Sequence, residues 1–299
     1  MSKAHQYAAA QGCILRLRAV RCGSRAVARK YRTMTVYAER FTGKAAVYAR
    51  FREGYEPHHV LPLLREWCGL TSQWSVADIG AGTGMAADLF RANGNRVIAV
   101  EPNAEMRAAC ASLHAGDDQF TVAAGAAEAT GLADASIDMV TAGRALHWFD
   151  AEAAFREFRR ILKPGGWVAI IACGRTEDGR PENKAYKALL QASTSRDSFH
   201  EPLLAVYRKL EAFFAGGSFR HAELPGEMHL GWEELRGLTL SLSQAPIPGS
   251  VSFPAFEAEL RSYFDRYAQN GRITLSTRTW LNAGQFANCF NESSPTVRR

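Results

Sequence analysis

Apolar and polar positions fall into regular blocks along this chain. From Tyr37 to Trp67 the spacing is helical. Phe41, Ala45, Tyr48 and Phe51 make one apolar face, with Arg50, Arg52 and Glu53 on the charged side. A second apolar stripe, Val60, Leu61, Leu63, Leu64 and Trp67, follows Pro57. Thr71-Ser72-Gln73 breaks the pattern before an apolar run at 75–79. Strand-like and helix-like blocks then alternate: helix 84–93, strand 96–100, helix 103–113, strand 120–123, strand 137–142, helix 151–162 and strand 167–172. Strands alternating with helices imply right-handed crossovers and a parallel sheet covered on both faces. Further on, 182–193 and 201–215 read as helices, Phe219–Leu230 as a strand, 232–242 and Phe253–Tyr267 as helices, and 271–281 as a final strand.

The chemistry gathers where these strands end. Ligands of open α/β sheets bind beyond the carboxyl ends of the strands, near the point where strand order reverses. The first strand ends in Asp78, followed by Gly80-Ala81-Gly82-Thr83-Gly84 and a helix start. Small residues there let backbone approach a ligand, and the free N–H groups at the helix start favour negative charge. The second strand ends in Glu101, an acid placed to accept both hydroxyls of a ribose. The third is followed by Gly125-Ala126-Ala127-Glu128, the fourth by Gly143-Arg144-Ala145-Leu146-His147-Trp148. A dinucleotide-binding turn wants Gly or Ala at its sixth position, where this chain has Met85. The spacing favours a wider turn and a ligand without a pyrophosphate.

Composition narrows the classes. The formal net charge is +6, but residues 1–35 carry eight basic residues and no acid. Without them the chain has 28 basic and 30 acidic residues, so its body is no phosphate-tracking surface. Residues 1–33 read as a poorly ordered basic extension, with Met34 as an alternative start. No apolar run is long enough to span a membrane. Six scattered cysteines, with no C-x-x-C pair and no nearby histidine cluster, point away from zinc and disulfides. Cys68, Cys110 and Cys173 are expected as core thiols in a reducing, cytoplasmic setting.

Four motifs in order carry a resemblance: Asp78-Ile79-Gly80-Ala81-Gly82-Thr83-Gly84, Val100-Glu101-Pro102, Ala127-Glu128 and Leu162-Lys163-Pro164-Gly165-Gly166. Over about residues 40–172 the chain resembles the class I S-adenosylmethionine-dependent methyltransferases. The pattern Phe41-x-x-x-Ala45-x-x-Tyr48-x-x-x-Arg52-x-x-Tyr55-x-Pro57, with His147-Trp148-Phe149-Asp150, is similar to their small-molecule branch, which includes trans-aconitate-type methyltransferases. The resemblance implies an α/β, Rossmann-like doubly wound sheet of about seven strands, mostly parallel with an antiparallel last strand. The domain would run 34–290, with a cofactor-binding core at 58–173, helical cap insertions at about 174–216 and 232–269, and a polar tail at 291–299.

The resemblance also implies roles. Asp78, Gly80, Ala81, Gly82 and Gly84 would hold the amino-acid part of S-adenosylmethionine. Glu101, with Pro102 behind it, would bind the ribose, Met106 would pack on the adenine, and the backbone near Ala127 and Glu128 would read the adenine edge. Tyr48, Arg52, Tyr55 and Trp148 would face the substrate, and Arg144 would pair with a carboxylate of cofactor or substrate. The chain departs from its relatives' pattern at Ala126, where many carry Asp or Asn, and at Glu53, where Pro is common.

His147 is the candidate base, since its ordinary pKa suits neutral pH; the alternative is a histidine that only orients its neighbours. Glu128 is equally readable as a solvated acid, and Arg144 as a surface ion pair. The expected activity is methyl transfer to a small molecule, with no nucleic-acid or membrane partner. Two other classes stay open: a nucleic-acid or protein methyltransferase, and a cofactor-binding protein without catalysis.

Overall fold

A computed structural model describes residues 43–176, 180–192, 206–242 and 245–287. The basic extension, the polar tail and the part of the first insertion at 193–205 lie outside these residues. Seven strands form one sheet: β1 (Ser75–Ile79), β2 (Arg96–Val100), β3 (Phe120–Ala123), β4 (Ile137–Gly143), β5 (Leu162–Arg175), β6 (Ser218–Leu230) and β7 (Ile273–Gln285). Their order is β3-β2-β1-β4-β5-β7-β6. β1 to β5 pair in parallel, while β7 runs antiparallel to both β5 and β6. Strand order reverses between β1 and β4, so the ligand crevice of such a sheet opens beyond Ile79 and Gly143.

The helices are α1 (Ala45–Phe51), α2 (Pro57–Cys68), α3 (Met85–Ala92), α4 (Ala104–Leu113), α5 (Ala151–Ile161), α6 (Pro181–Ala192), α7 (Trp232–Leu240) and α8 (Phe253–Tyr267). The helical pattern read from Tyr37 to Trp67, with its second stripe after Pro57, is two helices among the described residues. Arg52 leaves helical geometry, and Pro57 starts α2 at a position where its missing N–H costs nothing. Side chains cap α4 and α5. Asn103 accepts the Met106 amide at 3.0 Å, and Asp150 that of Ala153 at 3.4 Å.

Two sequence expectations need correction. The fifth strand is longer than 167–172. Leu162 already pairs with Ile137, the Lys163–Gly166 segment bulges out, and pairing resumes at Trp167 with Met139. Gly165 takes φ 79, and Lys163 Nζ lies 2.8 Å from Asp138 on β4, so this turn pins the strand pair. At the other end, β7 holds β5 in the ladder as far as Arg175. The helix expected at 201–215 is, within the described residues, a 3₁₀ segment at Tyr207–Phe214.

Three apolar cores result. One packs α2 and α3 on one sheet face, through Leu64, Leu89 and Phe90. The second packs α5 and the 3₁₀ segment on the other, through Phe155, Phe158 and Phe214. The third belongs to the insertions: Tyr186, Leu235, Phe256, Leu260 and Phe264 close on Ile273 and Leu275 of β7. Helix α1 joins this third unit. A side chain at Gly237 would meet the Phe51 ring at 2.2 Å, so only glycine admits the ring. Lys44 Nζ donates to the Leu242 and Ala245 carbonyls at 2.8 and 3.1 Å. Burial pushes the Cys68 and Cys110 thiols up to about 12, as inert core thiols require; Cys173 is only half-buried. No described helix is long and apolar enough to cross a membrane.

Candidate functional site

The turn after β1 is built by three glycines with positive φ: Gly80 (67°), Gly82 (60°) and Gly84 (98°). The amides of Gly80 and Ala81 both donate to the Val100 carbonyl, at 2.8 and 3.2 Å, which carries the β1–β2 contact into the loop. A side chain at Gly80 would press on Ala145 at 2.9 Å, and one at Gly84 on His114 at 2.6 Å. The turn therefore passes close under two neighbours, where a residue without a side chain is needed.

Asp78 stands at the base of that turn, fully buried. Neither carboxyl oxygen has a hydrogen bond of good geometry, and only the Ala87 amide lies near enough to oppose the effect of burial. Burial pushes its pKa up to about 7, with Glu101 and Asp88 adding to the rise. A buried acid without partners is costly unless something else supplies donors.

Glu101 ends β2 and is also buried. Its Oε2 accepts the Gly82 amide and its Oε1 the Asn103 amide, each at 2.8 Å. Burial raises its pKa, and these two amides and Arg107 oppose the rise. One acid thus clamps the glycine turn to the start of α4. Pro102 is exposed, and its carbonyl accepts from Arg107 at 3.0 Å. Met106 is buried with its methyl 3.4 Å from where a Gly82 side chain would begin, so it lines the turn itself. Ala127 is buried in a small bridge between Ala126 and Ala129.

The other candidates separate into two groups. Glu128 Oε1 accepts the Asp150 amide at 2.7 Å, which ties the β3 loop to the segment after β4; it is no simple solvated acid. His147 Nδ1 lies 3.2 Å from the Tyr207 hydroxyl, and its ring is tilted against Trp148 at 4.6 Å. These residues join the core to the first insertion.

Arg144 belongs to the second group and is no surface ion pair. Its side chain is 7% exposed, and its backbone takes φ 52 after its amide bonds to the Ile171 carbonyl. Nη2 donates to the Glu53 carbonyl at 2.7 Å, and Nη1 lies 3.4 Å from the Glu53 carboxylate. Arg52 approaches the same carboxylate at 3.8 Å and lies over the Tyr48 ring. Tyr55 lies under the Arg144 guanidinium, with its hydroxyl 2.7 Å from where a Gly143 side chain would begin. The sequence offered Glu53 as a charged helix-face residue and a departure from a family pattern, and Arg175, the third arginine on this carboxylate at 3.7 Å, lay past the expected strand end.

Among the described residues, no group of three or more His, Cys, Asp or Glu side chains is arranged to hold a metal.

Residues 77–170 match the family described as methyltransferase domain. An uncharacterized methyltransferase of Mycobacterium tuberculosis is 33% identical over 137 residues, 46% of this chain and 53% of the relative. A malonyl-acyl-carrier-protein O-methyltransferase of Pectobacterium atrosepticum is 33% identical over 136 residues, 44% of this chain and 51% of the relative. The chain thus spans about half the length of these curated relatives. The solved structure of a protein assigned as a type II methyltransferase, from Anaeromyxobacter dehalogenans, aligns with a TM-score of 0.56 at 24% identity, covering 79% of this chain and 98% of that one. That likeness concerns the fold.

Proposed function

We propose that this chain, which carries a class I methyltransferase domain over residues 77–170, transfers a methyl group from S-adenosylmethionine to a small-molecule acceptor. The observation that carries this reading is the buried Asp78 carboxyl, short of donors beside a glycine turn that backbone can approach. An ammonium group supplies such donors, and the amino-acid end of S-adenosylmethionine has one. Glu101, fixed by two amides at the neighbouring strand end, is oriented to accept ribose hydroxyls. Met106 and the Ala127 bridge would bound the adenine.

When bound, the cofactor supplies a methyl group on a sulfonium, ready for in-line displacement. The protein's part is to position the acceptor and exclude water. His147 is the candidate base for an acceptor that must lose a proton; an acceptor that is already an anion needs none. The malonyl-carrier relative is named for an acyl group held on a carrier protein, an acceptor that is not a nucleic acid.

Calorimetry with S-adenosylmethionine, S-adenosylhomocysteine and NAD tests the cofactor. Binding of NAD alone would overturn the reading. Labelled-methyl transfer into a metabolite extract, read by mass spectrometry, then identifies the acceptor. Cofactor binding with no transfer to any metabolite would favour a binding protein instead.

A further inference from the structure

His147 lies in a 3₁₀ turn, Leu146–Trp148, just past the carboxyl end of β4. Leu146 is buried in the core beneath α5, and the Trp148 amide donates to the Ala145 carbonyl at 2.8 Å, so the turn is fixed on both sides of the histidine. The histidine Nδ1 lies 3.2 Å from the hydroxyl of Tyr207, 60 residues later in the chain. Tyr207 opens the 3₁₀ segment Tyr207–Phe214. Residues three apart eclipse in such a segment, which puts Tyr207, Leu210 and Phe213 on one face. Leu210 is buried, and the Phe213 ring stacks on Phe155 of α5 at 4.2 Å. The packing that seats this segment on the core therefore also holds the tyrosine against the histidine.

Two nitrogens of one residue converge on the hydroxyl, because the His147 amide also lies near enough to act on it. Burial pushes Tyr207 well above the usual phenol range, against the pull of that amide and of Arg144, so it stays a hydroxyl at any working pH. A backbone N–H can only donate, so the oxygen is already placed as an acceptor toward His147. The Nδ1 distance agrees. At 3.2 Å it falls at the long end for an N–H donor and past the usual reach of a hydroxyl donor. The proton of this contact therefore sits on Nδ1. A neutral imidazole carries one such proton, so Nε2 keeps its lone pair.

We propose that Tyr207 is a positioning residue for His147: its hydroxyl accepts from Nδ1–H, fixes the tautomer with a bare Nε2, and so makes the histidine a base only while the first insertion is packed on the core. This deepens the methyl-transfer reading above and rests on it. The bond made by one imidazole nitrogen decides which form the other takes, and a catalytic base is oriented by such a third group. A proton given up by the acceptor goes to Nε2, and the electron pair stays on the acceptor atom to meet the methyl group. The ring becomes an imidazolium, and the Nδ1–H bond to Tyr207 persists through the change.

The full chain is labelled at histidine with a heavy nitrogen isotope, and proton–nitrogen correlation spectra are recorded at about pH 8, where an ordinary imidazole is neutral. His147→Gln identifies the His147 signals. The wild type is expected to show a protonated Nδ1 and a bare Nε2. Tyr207→Phe removes one oxygen and keeps the ring, and is expected to move the balance toward a protonated Nε2. With an acceptor found by labelled-methyl transfer, Tyr207→Phe is expected to lower kcat about tenfold. Its S-adenosylhomocysteine affinity stays within about threefold. A role in packing alone would not move the tautomer.

A protonated Nε2 in the wild type overturns the proposal, and that spectrum is read whether or not a variant folds. A tautomer that Tyr207→Phe leaves unchanged also overturns it, and so does full kcat in that variant. If the wild type methylates nothing in the extract, the methyl-transfer reading fails instead. The two spectra then still decide whether the hydroxyl sets the tautomer.

Discussion

The Oε2 atom of Glu101 accepts the backbone amide of Gly82 at 2.8 Å. An acid at the end of one strand thereby sets the path of the turn after its neighbour, and its other oxygen holds Asn103 at the start of α4. Removing the carboxyl loosens the turn and deletes the expected ribose acceptor together. Charge-assisted hydrogen bonds are worth about 1.5–3 kcal/mol each. Glu101→Ala is expected to weaken S-adenosylhomocysteine about 10–100-fold in calorimetry, and Glu101→Gln less. Unchanged affinity in Glu101→Ala would remove the ribose role.

Asp78 makes stability depend on pH. Burial pushes it up to about 7, while in the unfolded chain it titrates near its ordinary value of about 3.9. Between those values the folded protein keeps a proton that the unfolded chain has released. The contribution of Asp78 to stability is therefore greatest below about pH 4, falls by a few kcal/mol as pH rises toward 7, and is flat beyond. Asp78→Asn removes this slope and raises the melting temperature above pH 7. A slope that survives Asp78→Asn places it on other groups.

The same carboxyl should tie ligand binding to pH. An ammonium favours the ionised form, so S-adenosylhomocysteine affinity is expected to rise about tenfold per pH unit from 5 toward 7 and then level off. Asp78→Asn should bind weakly at every pH while being the more stable protein, a trade of stability for function. Equal affinity at pH 5 and 8 in the wild type would sink the ammonium assignment.

Gly143 is fixed by packing. A methyl there would meet Ala86 Cβ and the Tyr55 hydroxyl at 2.7 Å each. Gly143→Ala is expected to cost about 1–3 kcal/mol in thermal or urea unfolding. Tyr55→Phe in the same background should recover part of the loss, since it removes one of the two clashing atoms. No loss in Gly143→Ala would mean that α3 or the Tyr55 ring shifts freely.

The His147–Tyr207 contact at 3.2 Å links the candidate base to the first insertion. As the base, His147→Ala should lower kcat about 100-fold or more and abolish the acidic limb of its pH profile. Tyr207→Phe should have a smaller effect on kcat. Full turnover in His147→Ala would leave the histidine an orienting part.

How far the sequence reached depends on how locally each feature is determined. The strands at 96–100 and 120–123 and the helix Phe253–Tyr267 have the same bounds in the structure, because periodicity within one segment specifies them. The Gly80–Gly84 turn was equally legible, since only glycine takes those three positive φ angles at no cost. Strand β5 was not. Its extension past Ala172 depends on pairing with β7, more than 100 residues later, and its start before Trp167 depends on a bulge against β4. Glu128 could be read two ways, because its partner is the amide of Asp150 on another loop.

The sequence by itself determined the doubly wound sheet, the glycine turn and the two acids at neighbouring strand ends, all products of short-range patterning. The tertiary structure alone decided where the arginines go. Arg144 reaches a carbonyl 91 residues earlier in the chain, and Arg52 and Arg175 come to the same acid from an N-terminal helix end and a distant strand. No local rule pairs one charge with another across such separations. Burial makes the pairing strong, and burial exists only once the elements have packed.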